Sequence, residues 1–308
     1  MRILLLGARG QVGHELAATL APFAHVVSSS RAERNLDAEG VRPLVDEAKP
    51  DVIVNASAYT DVDGAEKEPE LAHAVNARLV GVLGEEARRR RAALVHFSTD
   101  FVFDGEKQTP YLETDATAPL GEYGRSKLAG ERALSEMDVA AVVFRTAWVY
   151  SLRRKSFVTT MLRLAREREE LSVVTDQIGS PTFCHDLAEA VALILYGCRA
   201  NVVEALGDAR GLYHLAGSGS VSRYDFTRAI LDLDPRRSEH RVKQLRPIVA
   251  AEFPLPARRP RATPLDTGKA SARWGVRLAP WRDALARALT SDGERGAAGL
   301  ATPPAPVR

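Results

Sequence analysis

Short apolar runs alternate with amphipathic stretches through the first half of the chain. Unbroken apolar runs, such as RILLL at 2–6, are typical of parallel strands that are buried on both faces. Other stretches, such as QVGHELAATLA at 11–21, repeat their apolar residues at helical spacing. The predicted strands lie at 2–6, 25–29, 50–57, 92–99 and 139–150. The predicted helices between them lie at 11–21 and 38–49, with two further helical stretches between 69 and 91.

This alternation predicts an α/β fold of the Rossmann type, a doubly wound parallel sheet with helices on both faces. Ligands of such sheets bind beyond the carboxyl ends of the strands. We therefore expect the ends of the predicted strands to line one crevice. These ends are Gly7, Ser30, Ala56–Ala58, Thr99–Asp100 and Thr146–Trp148.

The turn after the first predicted strand reads GARGQVG, with Gly7, Gly10 and Gly13 three residues apart. Glycine permits positive φ and lets the backbone approach a pyrophosphate closely. The helix that follows offers free N–H groups and a favourable dipole at its N-terminus. We therefore predict that a dinucleotide binds at this turn.

The end of the second predicted strand indicates which dinucleotide binds. An acidic residue there would bind the ribose 2′-hydroxyl of NAD, but this chain has Ser30 followed by Arg31. Because a guanidinium binds phosphate well, this pair suits a 2′-phosphate. We predict that NADPH is preferred and that NADH is also possible, with Asp37 near the adenine edge.

Thr99, Tyr123 and Lys127 form the candidate catalytic group. Tyr123 and Lys127 are four residues apart, so they share one face of a helix. A free tyrosine has a pKa of about 10 and needs a neighbouring cation to exchange protons near neutrality. Together the three residues predict hydride transfer to a ketone. Tyr123 would donate the proton, Thr99 would orient the oxygen, and Lys127 would also hold the nicotinamide ribose.

The pattern weakens after residue 150, although 157–170, 185–197 and 223–233 still read as helices. We predict an NAD(P)-binding Rossmann domain at 1–150. A smaller α/β domain at 151–290 would mainly bind substrate and would be partly interleaved with the first. Residues 291–308 are rich in Gly, Ala and Pro and are expected to form a disordered tail.

Composition narrows the classes of partner. The 42 basic and 40 acidic residues give a net charge of +2, which argues against a nucleic-acid-binding protein. The two cysteines form no CxxC motif, and the seven histidines show no metal-ligand spacing. The N-terminal apolar run is too short for a signal peptide or membrane span. We expect a cytoplasmic protein with no membrane partner.

Several segments together resemble the dTDP-4-dehydrorhamnose reductases, a branch of the extended short-chain dehydrogenases/reductases. The resemblance spans residues 1 to about 220, with a weaker match at RRPRATPLDT. The segments are GARGQVGHEL, PDVIVNASAYTDVDGAEKEPELAHAVN, STDFVFDG, PYLETDATAPLGEYGRSKLAGE, FRTAWVY, DQIGSPT and GLYHLAG.

The resemblance implies reduction of the 4-keto group of a dTDP-linked 6-deoxyhexose, the step that gives dTDP-L-rhamnose. It makes Tyr123 the proton donor, beside Thr99 and Lys127. The cofactor contacts it implies are Gly10, Gln11, Val12, Ala58, Tyr59 and Thr60. The substrate contacts it implies are Thr99, Asp100 and Trp148, and we infer that RRPR adds Arg259 near the substrate diphosphate.

The chain departs from this family at several positions. Phe101 stands where the family commonly has a tyrosine, which leaves the exact hexose open, and Gly64 replaces a common lysine. Some members hold Mg²⁺ at a dimer contact through three glutamates. Here Glu15 matches the first, but His185 and Arg282 stand at the other two positions. We therefore predict no bridging metal and leave a monomer or a homodimer open.

Three other functions fit parts of the pattern. The first is a 4-ketoreductase for another dTDP-deoxysugar, such as an antibiotic sugar or dihydrostreptose. The second is a non-catalytic relative, similar to the regulatory subunit of methionine adenosyltransferase, although Thr99, Tyr123 and Lys127 are all present. The third is a nucleotide-sugar epimerase or dehydratase that keeps NAD bound. The STDFVFDG and FRTAWVY segments favour the reductase.

Overall fold

The structure, a computed structural model, describes residues 1–29 and 39–298. Its strands are β1 (Arg2–Leu6), β2 (His25–Ser29), β3 (Val52–Asn55), β4 (Ala93–Thr99), β5 (Ala141–Thr146), β6 (Val149–Tyr150), β7 (Glu170–Val174), β8 (Ile178–Gly179), β9 (Thr182–Phe183), β10 (Gly211–His214), β11 (Val221–Ser222) and β12 (Gln244–Ile248).

The α-helices range in length from 4 to 18 residues. They are α1 (Gln11–Leu20), α2 (Val41–Ala48), α3 (Val62–Ala65), α4 (Pro69–His73), α5 (Leu79–Arg90), α6 (Glu122–Ser135), α7 (Phe157–Glu167), α8 (Cys184–Gly197), α9 (Val202–Asp208), α10 (Arg223–Leu233), α11 (Gly268–Trp274) and α12 (Trp281–Ala298). A π-helical turn at Ala74–Arg78 joins α4 to α5. Short 3-10 turns lie at Asp100–Val102, Arg237–Glu239 and Ala250–Glu252.

Six parallel strands form the central sheet in the order β10-β5-β4-β3-β1-β2. This confirms the predicted Rossmann-type α/β fold. Since β1 lies between β3 and β2, the glycine turn after β1 faces the ends of both neighbours. Strand β10 pairs with β5, so the sheet also draws a strand from the second half of the chain. The division of the chain at residue 150 stays a prediction.

The buried faces of β1 explain why its sequence shows no alternation. Ile3 and Leu5 belong to a core cluster that packs against α1 and α8. Leu4 and Leu6 belong to a second cluster, which packs against α2 and α5. Helices therefore cover both faces of the sheet, and each residue of β1 from Ile3 onward is at most 1% exposed.

A smaller layer of structure lies over the carboxyl end of the sheet. Strands β7 and β12 pair in parallel, and helices α7 and α10 pack beside them. A separate core cluster, which includes Tyr150, Val158 and Phe226, holds this layer together. The sequence predicted α7 and α10 but neither β7 nor β12, because ELSVV and QLRPI mix buried and exposed residues and lack the unbroken apolar run of β1.

Three segments differ from the sequence-based prediction. The strand expected at 139–150 breaks between β5 and β6, where Trp148 takes a positive φ of 44°. The two helical stretches expected between 69 and 91 are α4 and α5, and the π-helical turn at Ala74–Arg78 that joins them was not predicted. Helix α12 runs on to Ala298, so residues 291–298 of the expected disordered tail continue this helix. The rest of that tail, 299–308, lies outside the described residues.

Within the described residues, no single helix has the length and apolar character needed to cross a membrane. Helices α8 and α9 would meet that test only as a pair, and they are bent by 110° relative to each other.

Candidate active site

The glycine turn brings backbone groups closer together than any side chain would allow. Gly7 has a φ of +80°, and a Cβ placed there would lie 2.6 Å from the carbonyl oxygen of Ala56. A Cβ on Gly13 would lie 2.1 Å from the carbonyl oxygen of Gly7. Gly10, the N-cap of α1, supplies no side-chain cap, so the first N–H groups of α1 remain available to an anion. This arrangement fits the pyrophosphate of a dinucleotide.

The other predicted cofactor residues fall into two groups. Gln11 and Val12 begin α1, and the side-chain oxygen of Gln11 is buried with no hydrogen-bond partner among residues 1–29 and 39–298. Ser30, Arg31 and Asp37 lie outside the described residues, so their expected contacts with the adenosine ribose stay predictions.

Asn76 fixes the loop that follows β3, which contains Ala58, Tyr59 and Thr60. The Asn76 side chain accepts a hydrogen bond from the Tyr59 N–H at 2.9 Å and donates to the Tyr59 carbonyl at 3.0 Å. It also donates to the hydroxyl of Ser126 on α6 at 3.0 Å. Asn76 is 1% exposed and lies in the π-helical turn, a local irregularity that often marks functional sites.

The end of β4 places a hydroxyl and a carboxyl next to each other. The Thr99 hydroxyl donates to Asp100 at 3.1 Å and accepts from the N–H of Phe101 at 3.2 Å. The other carboxylate oxygen of Asp100 accepts from the Thr263 hydroxyl at 2.6 Å. Asp100 is 1% exposed, and burial raises its pKa to about 6 although both hydroxyls oppose the rise.

Tyr123 lies in the first turn of α6, next to Thr99. Burial raises the pKa of Tyr123 to about 12, the Thr99 hydroxyl opposes the rise, and the charge of Asp100 adds to it. Its phenol is therefore protonated at neutral pH, which is the state that a proton donor to a ketone requires. The Phe101 ring meets the Tyr123 ring edge-on, with ring centroids 5.7 Å apart.

Lys127 lies one turn further along α6, on the same face as Tyr123. Its ammonium donates to the carbonyl of Phe97 at 2.5 Å and lies 3.4 Å from Nε2 of His96. Burial lowers the pKa of Lys127 to about 8. In this arrangement the amine contacts β4 rather than the Tyr123 hydroxyl, so the expected effect of its charge on Tyr123 stays a prediction.

A cavity of about 740 Å³ lies between α7, β7, β12 and the segment 249–259, and Arg223 in its wall is near enough to Asp100 to interact with its charge. That volume is typical of small-molecule sites. Its lining includes Phe157, Gln177, Arg223, Arg246, Phe253 and Arg259.

Trp148 borders the site at the break between β5 and β6. Its indole packs so closely on Gly179 that a Cβ there would lie 2.4 Å from the ring. The Arg223 guanidinium lies 3.5 Å from the centroid of the same ring, which is a cation–π contact. The close packing on Gly179 and Arg223 holds the indole of Trp148 in one orientation.

Arg259 lines the cavity but already has a carboxylate partner. Its two terminal nitrogens donate to the carboxylate of Asp63 at 3.1 and 2.8 Å. The N–H of Ala257 donates to the same carboxylate at 3.0 Å, and Arg259 holds the pKa of Asp63 below its usual value. The expected contact of Arg259 with a substrate diphosphate therefore stays a prediction.

Glu15 and His185, two of the three positions related above to a metal-binding dimer contact, form an ion pair. Nδ1 of His185 lies 2.9 Å from Glu15, and its Nε2 lies 3.2 Å from Glu189. The bond to Glu15 raises the pKa of His185. Arg282 lies at the surface near the start of α12. The described part of the chain holds no group of three or more His, Cys, Asp or Glu side chains suited to a metal ion.

Sequence reasoning missed four residues of this site: Asn55, Asn76, His96 and Arg223. Asn76 stands inside a quoted segment, but nothing in a helical pattern announces a π-helical turn. His96 was read with the other scattered histidines, although it ends up 0% exposed beside Lys127. The signal for Arg223 was its place at the first position of α10, directly after the N-cap Ser222.

Comparisons with known proteins place this arrangement in a family. The profile described as "RmlD substrate binding domain" matches residues 1–293. A dTDP-4-dehydrorhamnose reductase of Burkholderia thailandensis is 43% identical over 290 residues, which covers 92% of this chain and 97% of the relative. This chain belongs to the RmlD-type dTDP-4-dehydrorhamnose reductase family.

Solved structures of RmlD-type proteins share the fold along almost their whole length. The dTDP-4-dehydrorhamnose reductase of Clostridium acetobutylicum superposes with a TM-score of 0.85 at 32% identity, covering 95% of this chain and 100% of the other. The Bacillus anthracis reductase, solved in complex with NADP, gives a TM-score of 0.83 at 31% identity, covering 94% and 99%.

One departure from the RmlD pattern has a structural account here. A Cβ on Gly64 would lie 2.5 Å from the Tyr59 hydroxyl and 2.8 Å from the carboxyl carbon of Asp61. The Tyr59 hydroxyl in turn donates to Glu68 at 2.8 Å. A lysine at position 64 would therefore require the Tyr59 side chain to move.

Proposed function

We propose that this chain uses NADPH to reduce the 4-keto group of dTDP-4-dehydro-L-rhamnose, giving dTDP-L-rhamnose. The observation that carries the proposal is the position of Tyr123 beside Thr99 at the end of β4, with Lys127 one turn further along the same face of α6. The RmlD-type relatives named above carry the same activity in their names.

Each of the three residues has a role that its surroundings support. The protonated Tyr123 hydroxyl donates its proton to the oxygen of the substrate carbonyl. The Thr99 hydroxyl, held at the end of β4, orients that oxygen by a hydrogen bond. Lys127 binds the ribose of the nicotinamide and supplies positive charge as Tyr123 loses its proton.

The dinucleotide site combines the glycine turn with the loop at 58–60. Gly7, Gly10 and Gly13 leave room for the pyrophosphate, and Gln11 and Val12 begin the helix that faces it. When bound there, the dihydronicotinamide supplies the hydride. A preference for NADPH is supported by Ser30 and Arg31 in the sequence and by the NADP complex of the Bacillus anthracis relative.

The substrate and setting complete the proposal. Asp100 and Trp148 contact the sugar, and the cavity beyond them takes the dTDP portion. Both cysteines are free, which suits the reducing cytoplasm where we place the reaction. The chain acts as a monomer or a homodimer, without nucleic acid or membrane.

Turnover of dTDP-4-dehydro-L-rhamnose, generated in place, tests the function directly. We expect loss of the reduced-nicotinamide absorbance with NADPH, and slower loss with NADH. Tyr123→Phe should lower kcat by about 10²- to 10⁴-fold, the range for loss of a general acid, while NADPH still binds. Tyr196→Phe, on the exposed side of α8, is the matched control and should leave the rate unchanged.

Two outcomes would contradict the proposal. If the wild-type chain binds NADPH and dTDP but does not oxidise NADPH with this ketosugar, the substrate is another ketosugar or the chain is a non-catalytic relative. If Tyr123→Phe turns over at the wild-type rate, Tyr123 is not the proton donor.

A further inference from the structure

Arg223 places a guanidinium in the wall of the cavity, and no carboxylate among the described residues forms an ion pair with it. Its backbone N–H donates to the carbonyl of Gln177, which fixes the start of α10. No hydrogen bond or ion pair joins its side chain to any of the described residues. An arginine has five N–H donors, so a partly buried guanidinium in this state lacks the anion that would offset its desolvation.

Aromatic rings hold this side chain in place. The Arg223 guanidinium carbon lies 3.5 Å from the centroid of Trp148 and 4.6 Å from the centroid of Phe157. Rings stacked on the flat face of a guanidinium leave its N–H groups free, because those groups point outward in the plane. Arg223 therefore presents a fixed set of donors to the cavity.

The neighbouring charges leave this donor set without a partner. Burial lowers the pKa of Arg223 to about 9, so it is still a cation at neutral pH. Asp100 is near enough to favour the charged form, but its two oxygens already accept from Thr99 and Thr263. Arg259, the other cation that acts on it, is paired with Asp63. Of these two cations, Arg259 is bound to a carboxylate and Arg223 is free to bind a ligand.

We propose that Arg223 binds the sugar-linked phosphate of the substrate's diphosphate, as a specificity-determining residue of the reaction proposed above, on which this inference rests. The reacting C4 carbonyl lies at Thr99 and Tyr123, and one pyranose ring separates C4 from the phosphate on C1. Asp100 accepts a hydrogen bond from Thr99 and also acts on the charge of Arg223, so Arg223 lies near the reacting end of the site. A guanidinium matches two phosphate oxygens at once, which a lysine cannot do.

The test compares the affinities of dTDP and dTMP for the NADP-saturated enzyme by titration calorimetry. The dissociation constant of dTMP divided by that of dTDP measures what the second phosphate contributes to binding. Arg223→Met keeps an unbranched side chain against Trp148 and Phe157 but removes the charge. We expect it to reduce this ratio by about tenfold or more, as for loss of a hydrogen bond to a charged group. Arg228→Met removes a cation from the exposed side of the same helix and should keep the wild-type ratio.

Kinetics and a second variant separate binding from a structural effect. In Arg223→Met, KM for the ketosugar should rise by a similar factor while kcat changes much less. Arg223→Lys keeps a point charge without the planar fork, so its ratio should lie between those of wild type and Arg223→Met. If Arg223→Met does not fold, Arg223→Lys alone tests the proposal.

The outcomes distinguish the inference from the function on which it rests. If the wild-type enzyme turns over the ketosugar and both Arg223 variants keep the wild-type ratio of dissociation constants, Arg223 does not bind this phosphate. The proposed function then stands. If the wild-type enzyme neither binds dTDP nor reduces the ketosugar, the proposed function is wrong and the inference fails with it.

Discussion

The hydrogen bonds around His96 determine which of its ring nitrogens carries the proton. The Asn55 side-chain oxygen accepts from the N–H and the hydroxyl of Ser57, at 3.1 and 2.6 Å, so its amide nitrogen must face His96. That nitrogen donates to Nδ1 of His96 at 3.1 Å, which places the proton of the neutral imidazole on Nε2. Nε2 faces the amine of Lys127. Both groups are then donors, so the 3.4 Å contact is not a hydrogen bond while Lys127 is charged.

Nitrogen NMR of the histidines tests this assignment. We expect His96 to show the Nε2–H tautomer and to titrate well below 6.5, because burial and the charge of Lys127 both lower its pKa. His185 provides the contrast, since its bond to Glu15 raises its pKa and it should titrate above 6.5. Asn55→Ala should release the tautomer of His96. An Nδ1–H tautomer in the wild-type chain would contradict the assignment.

The elements with unbroken patterns could be predicted from sequence, and those set by tertiary contacts could not. Strand β1 and helix α10 follow their apolar patterns closely, and the ends of β1, β3 and β4 converge as a parallel sheet requires. The site residues Thr99 and Tyr123 could therefore be placed in advance. The paired strands β7 and β12, which depend on each other across more than sixty residues, carry no such local signal.

The glycine turn gives the clearest prediction at this scale. Gly13→Ala places a methyl group 2.1 Å from the carbonyl oxygen of Gly7, so α1 must move away from β1. We expect this variant to lose NADPH binding, as measured by fluorescence titration, and to unfold at a lower temperature. Gly197→Ala, at the end of α8, meets nothing within 4 Å and should bind NADPH normally. Normal NADPH affinity in Gly13→Ala would mean that the turn does not hold the pyrophosphate.

At the scale of the whole molecule, Asp63 and Arg259 tie two distant parts of the chain together. Asp63 lies on α3 beside the sheet, whereas Arg259 belongs to the segment that lines the substrate cavity. The pair is bidentate and only partly exposed, at 33% for Asp63 and 20% for Arg259. Such geometry favours a measurable contribution, unlike the many exposed ion pairs on the surface of this protein.

A double-mutant cycle with Asp63→Asn and Arg259→Met measures that contribution by urea unfolding. We expect a coupling free energy of about 1 kcal/mol at neutral pH. Arg259 lowers the pKa of Asp63 below its unfolded value of 3.8, so the stabilisation is present above that value and is lost as the pH falls through the lower, folded-state pKa. The coupling should therefore be the same at about pH 7 and pH 5. A coupling near zero at both values would show that the pair does not stabilise the folded chain.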